Sequence, residues 1–331
     1  MEKRIPTLDG WRGIAILMVL FDHLQDSLAH RYLWSWSQTG YRGVNVFFVL
    51  SGFLITSKLL ESADLKKFYV RRFFRLMPVA WTFLGIALLG RLSSVKEVLA
   101  CVFFIRNFFG RMGIAGHFWS LSIEEQFYLL WPALLLFAGR KRGLWVAGGL
   151  ALIFGVLHWA MWAHQPARLW WPTWNYADAP LTGCFFALLL ADESRRHRLT
   201  PLARYCVGPA LLGYLCCLFI FPHEKTLLHE NILVGICMAS TYLVPASAIS
   251  RIISFSPLAW LGRISYSVYV WQELFMPLGS VVVFLTAMPA VVLISHYGIE
   301  KPFNRFGHRI AEGSLRRGAP LAEQPTDQVP V

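Results

Sequence analysis

The sequence predicts an all-α, polytopic integral membrane protein of about ten transmembrane helices with both termini in the cytoplasm. Hydrophobic residues make up 56% of the 331 positions and charged residues 15%, for a mean hydropathy of +0.49. Soluble chains lie nearer roughly 45–50% apolar and about 25% charged. Apolar runs of the length a bilayer core demands, about 17–25 residues, recur along the chain. The basic residues cluster in alternate connections between them.

Taken in order, the expected spans are roughly 11–30, 43–60, 76–92, 117–138, 144–163, 177–191, 204–221, 231–249, 264–278 and 280–297. The sixth and ninth are short. A further apolar stretch, 97–109 (EVLACVFFIRNFF), is interrupted by Arg106 and reads as a surface-lying or re-entrant helix. With both termini inside, the cytoplasmic connections take Lys66, Lys67, Arg71, Arg72 and Arg75, then GRKRG at 139–143 and SRRHR at 194–198. Arg251, Arg263 and the basic residues after position 300 follow. This partition puts 23 of the 31 Lys and Arg inside, as the positive-inside rule requires. An odd number of spans would leave the C-terminal basic cluster on the wrong side.

The same clustering accounts for the formal net charge of +12 and speaks against nucleic acid as its partner. The six cysteines lie in apolar stretches without metal-ligand spacing and are expected to be small buried hydrophobes. Lys3 and Arg4, a short apolar run and SLA at 27–29 imitate a cleavable signal. Asp22 and His23 break its exit region, so an uncleaved first helix is expected. Residues 1–310 form the expected transmembrane domain, and 311–331, with Pro, Gly and Gln, a short disordered cytoplasmic tail. No internal repeat is visible, which speaks against a transporter built from two halves.

Ionisable groups inside spans are costly and therefore informative. In GWRGIAILMVLFDHLQ (10–25), Arg12 and His23 are eleven residues apart. On a helix that is three turns plus about 20°, so both fall on one face about 16 Å apart. They line one cavity at two depths, or else Arg12 snorkels to headgroups and His23 is interfacial; spacing leaves both open. Adjacent Asp22 points elsewhere. Asp9 reads as a helix N-cap with room for a role beside Arg12. In FYVRRFFRLMP (68–78), Arg71, Arg72 and Arg75 are either a topology signal or a phosphate clamp, for which bidentate guanidinium suits. HFWSLSIEEQFYLLWP (117–132) opens a span with two glutamates, of which at most one faces a site. GRISYSVYVWQELF (262–275) and SHYGIEKPFNRFG (295–307) complete the set of polar clusters.

In this order, LDGWRGIAILMVLFDH, GVNVFFVLSGFLIT, FYVRRFFRLMP, FWSLSIEEQFYLLWP, GRISYSVYVWQ and IEKPF resemble the acyltransferase 3 family of integral-membrane acyltransferases, from residue 8 to about 307. The resemblance implies a ten-helix bundle in the bacterial inner membrane. Such a bundle takes an acyl group, acetyl by family expectation, from cytoplasmic acyl-CoA to a carbohydrate hydroxyl, with no tightly bound cofactor and no metal. Many relatives carry a fused extracytoplasmic hydrolase-like domain, which this chain is expected to do without. The family's arginine–histidine motif falls on Arg12 and His23, its loop arginines on Arg72 and Arg75 with Arg71 adjacent, and its serine–glutamate signature on Ser120, Ser122 and Glu124. Glu124 is favoured over Glu125 because relatives vary more at the second position. The family often has a histidine where Gln272 stands, which makes His23 the stronger sole proton carrier.

A hydroxyl attacking a thioester needs a base, and histidine, titrating near about 6.5, suits that role. His23 is therefore expected as general base in direct transfer, against an acyl-histidine intermediate as the competing chemistry. Arg71, Arg72 and Arg75 are expected to hold the phosphates of the donor, and Arg12 to guide it. Glu124 and Tyr128 are expected to orient His23 or bind the acceptor, and Asp9, Ser122, Tyr266, Tyr269 and Gln272 to line the cavity. The rival readings are acylation of a small-molecule glycoside, a lipid-linked sugar transporter or flippase, and a purely structural subunit.

Overall fold

The computed structural model describes residues 5–28, 39–62, 64–110, 113–164, 172–220, 228–276 and 280–316. They form α1 (Pro6–Leu28), α2 (Thr39–Glu61), α3 (Leu65–Leu89), α4 (Val95–Val102), α5 (Phe118–His164) and α6 (Asp178–Ala191). α7 (Glu193–Ile220), α8 (Leu228–Leu243), α9 (Ala248–Ile253), α10 (Ser256–Phe275), α11 (Val281–Ser295) and α12 (Lys301–Arg316) follow. No strand occurs among the described residues. The class is all-α, and the apolar runs explain it. In hydrocarbon every backbone N–H and C=O must be satisfied within its own segment, and a helix does this.

Local chemistry sets the boundaries. Asp64 caps α3 by accepting from the Lys67 N–H at 2.9 Å, and Ser94 caps α4 through the Glu97 N–H at 3.2 Å. α5 is broken at Gly139, where φ is 71°, a conformation that glycine adopts without a Cβ penalty. The break falls in GRKRG and divides α5 into the two segments expected at 117–138 and 144–163.

Each expected span falls largely within a helix, although 29–30, 221 and 277–278 lie outside the described residues, as do 317–331 of the expected tail. Among the described residues, five helices are long and apolar enough to cross a membrane: Thr39–Glu61, Leu65–Leu89, Phe118–Met161, Glu193–Phe219 and Val281–Gly313. α1, which carries Asp9, Arg12 and Asp22, is not among them. α12 makes residues 311–316 helical and folds back along α3, where Gly307 meets Phe74 and Glu312 meets Arg71 at 3.3 Å. Of the cysteines, Cys101, Cys184 and Cys237 are buried, but Cys206 and Cys216 sit exposed on α7. An apolar setting in sequence there means a lipid-facing surface, not the core.

α1 and α10 run parallel and very close. A Cβ on Gly262 would stand 1.8 Å from the Asp9 carbonyl oxygen, and one on Gly13 would stand 2.3 Å from that of Leu258. α2 runs antiparallel to α1, with Gly40 against Asp22 and Gly43 against Ala15. The first limb of α5 runs beside α2 and opposite to α3, so the start of α3, the Gly139 break, the start of α10 and α12 share one end. We refer to it as the basic end.

Candidate active site

Two groups of polar residues in the bundle interior are joined by α1. The group at the basic end centres on Arg72. Its guanidinium reaches Glu125 Oε1 from Nη2 at 2.5 Å and from Nε at 2.9 Å, and Glu124 Oε1 at 3.3 Å. Its Cζ lies 3.2 Å from the centroid of the Tyr128 ring, a cation–π contact. Ser51 Oγ donates to Glu124 at 2.6 Å, and the Tyr128 hydroxyl donates to the Ser51 carbonyl at 3.2 Å. Arg72 is therefore enclosed by α2, α3 and α5, its charge already opposed by two carboxylates.

Arg12 and Arg75 differ from it. Arg12 has Asp9 at 3.5 Å and stands within electrostatic range of Arg75, Tyr128 and Glu124. Among the described residues Arg75 makes no hydrogen bond or ion pair. Two guanidinium groups thus stand within electrostatic range of one another, with the carboxylate of Asp9 beside one of them. Such a pair attracts a multiply charged anion. Arg71 points away, to Glu312 on α12. The three arginines taken together in sequence therefore occupy three environments.

Asp9 is not an N-cap. The helix begins earlier, at Pro6, whose fixed φ suits a first helical position, so Asp9 sits within the first turn and pairs with Arg12. Tyr266 donates to the Leu76 carbonyl at 2.6 Å and ties α10 to α3. Ser122 donates to the Phe118 carbonyl of its own helix at 3.0 Å, which engages its hydroxyl locally.

Further from the basic end, His23 Nε2 lies 3.6 Å from Glu273 Oε1, with the two side chains 28% and 22% exposed. The expected orienting groups, Glu124 and Tyr128, are engaged by Arg72 and Ser51 instead. The carboxylate beside His23 is Glu273 of α10, a residue that the motif reading passed over. It had a signal: Tyr269, Gln272, Glu273 and Met276 share one helical face, and a carboxylate in so apolar a segment is expensive. Tyr269 donates to the His117 carbonyl at 2.8 Å and meets Ser120 Oγ at 2.5 Å. Its hydroxyl locks α10 to the start of α5. The Gln272 amide is fully buried, and neither its nitrogen nor its oxygen has a hydrogen-bond partner among the described residues.

The stretch 97–109 is a short helix and a turn, pinned rather than loose. Arg106 is fully buried, reaches Glu97 at 3.8 Å and donates to the carbonyls of Phe109 and Gly110 at 2.9 and 3.0 Å. Gln126 of α5 donates to the Phe104 carbonyl at 2.5 Å and to Asn107 at 3.0 Å. Leu99 and Phe103 remain exposed, as a surface-lying segment requires. Among the described residues, Cys217, His229 and Glu230 bring possible ligand atoms within 4.8 Å of one another. Both Glu230 oxygens are taken by Arg42, at 2.9 and 3.0 Å, so the grouping does not fit a metal ion.

Comparison with known proteins agrees with the motif order. A family model described as an acyltransferase domain matches residues 5–299. The peptidoglycan O-acetyltransferase OatA of Listeria monocytogenes is 31% identical over 317 residues, covering 82% of this chain and 49% of that protein. The putative peptidoglycan O-acetyltransferase YrhL of Bacillus subtilis is 28% identical over 363 residues, covering 93% of this chain and 56% of that protein. The O-acetyltransferase OatA of Staphylococcus aureus is 25% identical over 314 residues, covering 82% and 50%. The chain thus spans about half the length of these relatives. No solved structure gives a significant match.

Proposed function

This chain belongs to the acyltransferase 3 family, and from that premise we propose that it is a membrane O-acyltransferase. It moves an acetyl group from cytoplasmic acyl-CoA to a hydroxyl of a cell-surface or lipid-linked carbohydrate. The reading places ten spans in the bacterial inner membrane, with both termini and the basic end in the cytoplasm.

One observation carries the proposal. Arg12 and His23 lie on one face of the unbroken helix α1, about 16 Å apart along its axis. Arg12 stands at the basic end within electrostatic range of Arg75, which makes no ion pair among the described residues. His23 stands deeper, beside a carboxylate. An anionic donor is thus attracted at one level while its extended pantetheine arm, bearing the thioester, reaches a base at another. Arg12 and Arg75 take the nucleotide phosphates; Arg71 is at the surface near α12, and Arg72 holds the walls of the site.

His23 takes the proton of the acceptor hydroxyl as its oxygen attacks the thioester carbonyl. The carbon–sulfur bond breaks, coenzyme A leaves as thiolate, and the imidazolium returns the proton to that sulfur. The new ester remains on the carbohydrate. General-base assistance of this kind contributes about 10²- to 10⁴-fold in rate.

The test uses the full chain in nanodiscs, acetyl-labelled acetyl-CoA and a soluble peptidoglycan oligosaccharide, the acceptor class that the relatives' names suggest. Label entering the glycan, and lost in His23→Ala, supports the proposal. Label retained on the protein before transfer replaces direct attack by an acyl-histidine route. Movement of a lipid-linked sugar without thioester consumption sinks the acyltransferase reading.

A further inference from the structure

We infer that Glu273 is the positioning residue of the catalytic base, forming with His23 a carboxylate–imidazole dyad that spans α1 and α10. The inference rests on the proposed role of His23. It adds a residue lying just beyond the recognised GRISYSVYVWQ motif.

The register of the two helices brings the pair together. α1 and α10 meet at a seam where Gly13 and Gly262 leave no room for a Cβ, with the Gly13 nitrogen 3.0 Å from where the Gly262 Cβ would stand. His23 lies ten residues beyond Gly13, and Glu273 eleven beyond Gly262. At about 1.5 Å rise per residue the two parallel helices climb about 15 and 16.5 Å from the seam. They arrive at the same height, and the structure records the meeting as 3.6 Å between Nε2 and Oε1. A sliding or tilting interface would scatter such a contact; a seam without Cβ atoms holds it.

The chemistry follows from which nitrogen faces the carboxylate. The proton on a neutral imidazole sits on the nitrogen whose hydrogen-bond partner accepts it. At 3.6 Å the two groups are in ion-pair contact rather than hydrogen-bonded. When they close to a hydrogen bond with Glu273 accepting from Nε2–H, as catalytic pairs do on binding substrate, the lone pair resides on Nδ1, which becomes the basic atom. When Nδ1 takes the acceptor's proton, the carboxylate opposes the charge of the imidazolium. A base oriented by a third group is the general logic of activated hydroxyl chemistry. Around the pair, Asp22 lies on the histidine's own helix, and His117, ahead of α5, stands within electrostatic range of His23. Glu273, Glu124 of α5 and Tyr41 of α2 each stand within electrostatic range of Tyr269, which shares the glutamate's face of α10. Arg42 of α2 is turned to Glu230 of α8. Glu273 is the carboxylate that the α1–α10 packing brings to within 3.6 Å of the imidazole.

The experiment measures kcat, KM and the pH profile of kcat/KM for Glu273→Gln and Glu273→Asp in the nanodisc assay with the peptidoglycan oligosaccharide. Glu273→Gln is expected to lower kcat by about 10²-fold, within the range general bases contribute, with the donor KM changed less than about threefold. The acid limb of its profile moves to lower pH, because the imidazolium loses its counter-charge. Glu273→Asp keeps the charge and recovers part of the rate with a smaller displacement. An unmoved profile in Glu273→Gln, whatever its rate, overturns the inference, since a purely structural role would not move it. If Glu273→Gln does not fold, Glu273→Asp decides alone: wild-type kcat and an unmoved profile overturn the dyad. Activity retained in His23→Ala overturns instead the base on which the inference rests.

Discussion

The guanidinium of Arg72 sits over the ring of Tyr128, 3.2 Å from its centroid, while Glu125 and Glu124 take its N–H groups. One side chain therefore ties α3 to α5 and, through Ser51, to α2. Removing it leaves two mostly buried carboxylates without their cation. Arg72→Ala is expected to destabilise the protein by about 3–5 kcal/mol, as for a broken buried pair. Thermal unfolding in detergent measures this. Arg72→Lys recovers little, because a point-like ammonium cannot both fork onto the carboxylates and stack on the ring.

Arg75 predicts the opposite pattern. It has no protein partner among the described residues to lose, so Arg75→Ala is expected to change stability by less than about 0.5 kcal/mol, like other substitutions away from specific contacts. Its expected effect is on the donor: KM for acetyl-CoA rises about tenfold, equivalent to about 1.4 kcal/mol of binding, with little change in kcat. Equal loss of stability in Arg72→Ala and Arg75→Ala would contradict this division of labour.

Arg42 and Glu230 form a bidentate pair with the side chains 1% and 3% exposed. Arg42→Met alone is expected to cost about 3–5 kcal/mol, since it buries an uncompensated carboxylate. The double variant Arg42→Met with Glu230→Met is expected to regain most of that loss, because an apolar pair need not be desolvated. The double-mutant cycle, read by unfolding, checks the coupling; additive losses would show that the pair does not act as a unit.

Gly262→Ala places a methyl group 1.8 Å from the Asp9 carbonyl oxygen, so α1 and α10 must separate or slide. Over-packing of this kind costs about 1–3 kcal/mol. The more telling result is activity: transfer is expected to fall at least tenfold in folded protein because His23 and Glu273 no longer meet. Gly149, where a Cβ would meet nothing within 4 Å, is the control; Gly149→Ala is expected to leave activity and stability near wild type.

Much of this molecule is legible in its sequence. Its helical class, the interruption at GRKRG, the membrane character and the shared face of Arg12 and His23 all follow from hydropathy, charge clustering and helical periodicity, which act within a few turns of chain. The motif order pointed to the family that the comparison of residues 5–299 established. Two readings of sequence context were revised. Asp9 proved to be a first-turn residue because Pro6 starts the helix earlier, and Cys206 and Cys216 face outward because an apolar run in a membrane protein has two apolar sides.

Tertiary structure alone decided the partners. Periodicity says which residues share a face, but not what stands opposite, because that depends on the register and closeness of helices far apart in sequence. The structure parted Arg71 from Arg72 and Arg75, gave Glu124 and Glu125 jointly to Arg72, and set Glu273 beside His23 across a seam of glycines. In GWRGIAILMVLFDHLQ the sequence determined that an arginine and a histidine share one side of one helix. The packing of α10 against that helix decided which carboxylate the histidine meets.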